Sequence, residues 1–253
     1  MTRRGATLGG ALGLSLLLAL PAAAQSNPLK DGLFPGSRAP APQAILYGAR
    51  DNAVRFVLDR SSPRRPLVVF LDAEEVFALV PVVAARGDEI LTLDTGEPLL
   101  RINALGGVTV YGPLGANGAP AAPISPTRPI ASPAPPADNL RRHMQRAVRD
   151  IAARHRRTID LQAPADLPPG AGADVVDRIK DGLLQALDGQ PAERRAAQGV
   201  RTVTIVFAQS AFAVRDAERV IVGIAPSLGY AGRPSSAAVR RAAQTPPRAP
   251  LRN

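Results

Sequence analysis

The sequence predicts an α+β fold: an N-terminal antiparallel β-meander, closing as a small sandwich or barrel, and then a helix-helix-strand-strand region. Three observations carry this. Residues 44–112 hold short β-type runs parted by turn formers, at the roughly 8–12-residue spacing of small all-β units. Residues 138–230 change to helical spacing and end in two more apolar runs. Residues 113–137, between them, contain eight prolines and seven alanines.

The first 24 residues read as a cleaved signal peptide. Arg3 and Arg4 precede an apolar stretch from Leu8 to Leu20, and Pro21-Ala22-Ala23-Ala24-Gln25 supplies small residues for cleavage near Ala24-Gln25. The apolar stretch is shorter than the about 20 residues a spanning helix needs, and no later stretch is apolar enough. The expectation is a periplasmic or secreted protein with no transmembrane segment after cleavage. Residues 25–43, with four prolines, read as an irregular leader.

Six strands are expected in the meander: Val54 to Leu58, Leu67 to Leu71, Val76 to Val80, Glu89 to Leu93, Pro98 to Ile102 and Val108 to Tyr111. The Pro/Ala segment 113–137 reads as a stiff linker, because Pro120, Pro123, Pro126 and Pro129 recur with the period of polyproline II and lack N–H donors. In the basic α+β region 138–230, Asp138 or Asn139 caps a helix whose apolar stripe is Leu140, Met144, Val148 and Ile151. A second helix spans about Asp174 to Asp188, with Gly189 at its end. Val200 to Phe207 and Arg219 to Ile224 read as strands, the latter covered on both faces. Residues 231–253 have five arginines, four prolines and no acids, and read as a disordered basic tail.

Composition excludes several chemistries. With no cysteine there is no disulfide, thiolate metal site or cysteine nucleophile. His143 and His155, twelve residues apart on one helix, are too distant to share a metal ion. No phosphate-binding glycine loop and no cofactor motif is present. Ala225-Pro226-Ser227-Leu228-Gly229 fails as a nucleophile elbow, since Pro226 precedes the serine and both histidines lie upstream.

Leu91-Thr92-Leu93-Asp94-Thr95-Gly96 resembles the active-site loop of retroviral-type aspartic proteases, in which two chains each supply one aspartate. That makes Asp94 the one catalytic candidate, within a dimeric protease. Glu97 departs from the family, which places Ala or Ser there, and the competing reading is a tight hairpin turned by glycine.

The net charge of +10 is uneven. Residues 25–118 carry nine basic and ten acidic side chains, and residues 138–253 carry nineteen and eleven. Arg141, Arg142, Arg146 and Arg149 crowd the first helix and are the anion-binding candidates. Export and the scarcity of aromatic residues (4%) disfavour nucleic acid. The counter-ions to expect are an anionic envelope component or an acidic protein.

The elements Phe56-Val57-Leu58-Asp59-Arg60-Ser61, Arg86-Gly87-Asp88, Gly96-Glu97-Pro98-Leu99-Leu100-Arg101 and Leu105-Gly106-Gly107-Val108-Thr109-Val110-Tyr111 resemble a family of exported alphaproteobacterial proteins about this long, classed as a domain of unknown function. The resemblance implies export and a shared β-rich unit. It implies no activity and no site residues. The combined expectation is an exported, non-enzymatic binding or structural protein of the periplasm or envelope.

Overall fold

Alternating apolar residues in the first half of the chain pair into a sheet whose two ends meet. The computed structural model describes residues 43–73, 75–112, 117–131 and 139–246. The signal peptide, most of the leader and the end of the tail lie outside the described residues.

Nine antiparallel strands run β1 (Ala44–Ala49), β2 (Val54–Asp59), β3 (Leu67–Phe70), β4 (Val76–Ala78), β5 (Val80–Val83), β6 (Glu89–Thr92), β7 (Pro98–Ile102), β8 (Val108–Val110) and β9 (Ala119–Thr127). Their order in the sheet is β4-β3-β2-β1-β9-β8-β7-β6-β5. The outermost strands β4 and β5 are separated in the chain by Leu79 alone, which is fully buried. The expected run Val76 to Val80 is thus bent at Leu79, and the sheet curls into a near-barrel with little open edge. Inward alternation places Phe56, Leu58, Val68, Leu91, Leu100 and Val110 in its core. Tyr47, Phe56, Phe70 and Phe77 form a row across four strands, with centroids 5.4, 5.6 and 6.4 Å apart.

Strand β9 takes Ala119–Thr127 out of the segment 113–137 expected as a linker, of which residues 113–116 and 132–137 lie outside the described residues. It pairs with β8 over Ala119–Ala121 and with β1 up to Thr127. A three-residue proline spacing would turn successive proline nitrogens to opposite edges of a strand. The bulge between Pro123 and Ser125 resets that alternation, so Pro123 and Pro126 can both turn away from β1. Buried Asp59 then holds the chain leaving β9, accepting from the Ile130 N–H at 2.7 Å and from the Ser61 N–H at 2.9 Å.

The second half contains α1 (Leu140–His155), β10 (Asp160–Gln162), α2 (Pro169–Asp188), α3 (Pro191–Gln198), β11 (Thr202–Phe207), β12 (Phe212–Asp216), β13 (Arg219–Ile224), a 3-10 turn (Pro226–Gly232) and α4 (Ser236–Gln244). The sheet order is β10-β11-β13-β12, with β12 antiparallel and the rest parallel. Val203, Ile205, Val220, Val222 and Ile224 on one face meet Ile151, Val176, Ile179, Leu183 and Val239 from the helices. On the other face of β13, the Phe212 ring lies over Gly223, and no helix among the described residues covers that side. β13 is therefore covered by helices on one face only.

Helix α4 takes Ser236–Gln244 out of the segment 231–253 expected as a disordered tail, of which residues 247–253 lie outside the described residues. Its small apolar residues recur at helical spacing, and Val239, Ala242 and Ala243 enter the second core. Gly182 of α2 permits its close approach, because a Cβ there would stand 2.5 Å from the Ser236 carbonyl oxygen. Ala237, on the same helix, packs into the barrel core.

Around α4 a buried polar network ties the two halves. Arg178 donates from Nε to Asp174 (2.8 Å), from one terminal nitrogen to Glu75 (3.3 Å) and from the other to the Val76 carbonyl (2.6 Å). Arg233 donates to Asp174 at 2.9 Å and stacks over Tyr230, 4.8 Å from the ring centroid.

Candidate functional site

Asn139 starts α1 by accepting from the Arg142 N–H at 2.9 Å. The helix buries Ala147 and Ile151 against the second core and leaves its arginines toward solvent. Beside it runs β10, the end strand of the sheet. Between helix and strand lies a groove of about 1090 Å³, floored by Leu140, Met144, Val148, Ile159 and Leu161. Arg141 and Arg149 line it, and among the described residues neither has a carboxylate partner.

The four arginines expected to bind anions therefore divide. Arg141 and Arg149 reach the groove together because eight residues complete just over two helical turns. Arg142 and Arg146 lie on the adjoining helix strip, outside the groove lining. Further along, Arg154 pairs with Asp188 at 2.6 Å and Arg157 donates to the Val200 carbonyl at 3.4 Å, so both serve the fold.

β10 adds a feature that the sequence reading passed over. The Asp160 N–H is spent on the Arg201 carbonyl at 2.9 Å, on the β11 side. By the alternation of a strand, the N–H and C=O of Leu161 then face the open edge and the groove. The only sequence signal was the alternation Ile159-Asp160-Leu161-Gln162-Ala163, too short to separate from a loop.

Asp94 sits in the β6–β7 hairpin, where the Leu93 N–H donates to the Glu97 carbonyl at 2.8 Å and Gly96 takes φ 81°. Both of its oxygens are engaged: Oδ2 accepts the Ser235 N–H at 2.8 Å and Oδ1 the Ser235 hydroxyl. The Thr95 carbonyl and the Glu97 carboxylate bind Arg241. Asp94-Thr95-Gly96-Glu97 is thus a seat for the start of α4, and the geometry lends the protease reading no support. Each histidine stands beside a different α2 carboxylate, His143 3.2 Å from Asp177 and His155 3.3 Å from Asp188. Among the described residues no group of three or more metal-ligating side chains occurs.

A family model described as "Domain of unknown function (DUF4908)" matches residues 28–243, spanning the barrel, the groove and α4. The chain belongs to the DUF4908 family. That match takes in both halves of the chain. No curated protein and no solved structure matches the chain. Among the described residues of this DUF4908 chain, no helix is long and apolar enough to cross a membrane.

Proposed function

We propose that the chain is a non-enzymatic binding protein, exported to the periplasm or cell envelope, whose α1–β10 groove receives an extended acidic segment of a partner protein. The observation that carries this reading is the placing of Arg141 and Arg149, which have no carboxylate partner among the described residues, beside β10, the end strand of the sheet, over one apolar floor. Arginines alone would suit any anion. An open edge offering the Leu161 N–H and C=O favours a polypeptide, because a second strand satisfies both groups as a lipid surface does not. The arginines then set charge preference, and the apolar floor takes alternate side chains. Export rests on the signal-like residues 1–24 and is tested by sequencing the N-terminus of the protein from its host, which should begin near Gln25.

Fluorescence anisotropy tests the groove. A labelled extended peptide alternating Asp with Val should bind, weaken with added salt, and bind about tenfold less tightly to Arg141→Ala/Arg149→Ala, about 1.4 kcal/mol. A basic peptide of the same pattern should not bind. Acidic-peptide binding untouched by the double variant, or binding to anionic vesicles but to no peptide, overturns the proposal.

A further inference from the structure

A second site lies where the two halves meet. A partly open cavity of about 90 Å³ is lined by Arg65 and Asp94 of the barrel and by Arg178, Ser210, Arg233 and Ser235 of the second half. That is the volume of about three water molecules, or of one small oxyanion.

Arg65, Arg178 and Arg233 line it with Asp94, which has both oxygens turned to Ser235, while Asp174 pairs with Arg178 and Arg233 and Glu75 with Arg178. Arg178 is held by Asp174, Glu75 and the Val76 carbonyl, so its position is fixed before any ligand arrives. Arg233 is 8% exposed and spends one terminal nitrogen on Asp174. Its Nε–H is buried with no acceptor among the described residues. A buried donor left without a partner costs about 1–3 kcal/mol and more on a charged group, so the position is expected to hold an acceptor. Arg65 is exposed, has no carboxylate partner among the described residues, and completes the lining from the β2–β3 turn.

We propose that this cavity binds a small tetrahedral oxyanion of the phosphate or sulfate class, free or as the terminal group of a larger molecule. The buried Arg233 supplies the fixed donor, Arg65 closes over the ion from the barrel side, and the Ser210 hydroxyl adds a neutral donor. The bound ion would then bridge barrel and helical half.

Isothermal titration and thermal unfolding of the full chain test this, with sodium phosphate, sodium sulfate and glycerol phosphate as separate arms and chloride at matched ionic strength as reference. The expected result is saturable binding and a rising unfolding temperature. A response to the free ions alone identifies them as the ligand, and one to the ester as well identifies a terminal phosphate. Arg65→Ala should weaken binding about tenfold without changing the ion-free unfolding temperature, since Arg65 is exposed. Arg233→Gln should abolish binding; should it fail to fold, Ser210→Ala, expected to weaken binding about threefold, takes its place. Arg141→Ala/Arg149→Ala should leave phosphate binding intact, which separates this site from the groove. No saturable binding in any arm, binding that Arg65→Ala leaves unchanged, or binding lost with Arg141 and Arg149 overturns the proposal.

Discussion

Glu75 stands just before β4, where its carboxylate accepts from Arg178 on α2 and from the Ser236 N–H at 2.9 Å. Burial pushes its carboxyl above the ordinary value of 4.5, and Arg178 and Ser236 offset that only in part, with Asp174 adding to the rise. The native state therefore holds the Glu75 proton to higher pH than the unfolded chain does. Stability from this group is present below pH 4.5 and lost as pH rises through the folded value. Glu75→Gln removes that term while keeping an acceptor for Arg178. Urea unfolding of both proteins across a pH series should show wild type losing stability relative to the variant as pH rises above 4.5. A difference that stays flat with pH would count against this role. Asp88 behaves oppositely: its hydrogen bonds from Arg101 and the Ala104 N–H hold its carboxyl below the usual range, so its contribution is lost as pH falls.

At the scale of elements, α4 depends on a cap built by another part of the chain. The Ser235 hydroxyl accepts from the Ala238 N–H at 3.1 Å and donates to Asp94, joining a helix start to a hairpin in the barrel. Ser235→Ala should cost about 1–2 kcal/mol by denaturant unfolding. Asp94→Ala should cost a similar amount, and the double variant less than the sum, since the residues share one interaction. Additive losses would show that Asp94 acts elsewhere. Five of the six expected strands stand as single strands, legible as short apolar runs between turn formers; the sixth, Val76 to Val80, divides into β4 and β5 at Leu79, and β1 was not among them. β9 was not legible, since its prolines argue against a strand unless a bulge and an unpartnered edge are known. α4 was hidden by the prolines and arginines around it, although Ser235-Ser236-Ala237-Ala238-Val239 carries both a cap and a helical stripe.

At the scale of the whole molecule, two cores meet at α4, with Ala237 in one and Val239, Ala242 and Ala243 in the other. Arg178 reinforces the join from the helical side. Unfolding should therefore be one event. The near-ultraviolet signal of Tyr47, isolated by replacing Tyr111 and Tyr230 with Phe, should fade together with helical circular dichroism as urea is raised. Two separated transitions would mean the halves unfold independently. The groove was half legible: the arginines and apolar stripe of α1 were plain, but the strand opposite them comes from three residues whose pairing only the assembled sheet reveals. The lining of the smaller cavity is scattered from Arg65 to Ser235, so no local pattern announced it. The seam at Leu79 has a kinetic consequence. Every pairing in the barrel joins strands consecutive in the chain except β1 with β9, where Ala44 meets Thr127. β1 to β4 and β5 to β9 can each zip locally from their hairpins. Bringing β9 onto β1 must close the long intervening loop, an entropic cost met before any contact rewards it. That docking sets the pace at which the barrel assembles, with Leu79 as the pivot about which the two meanders swing together.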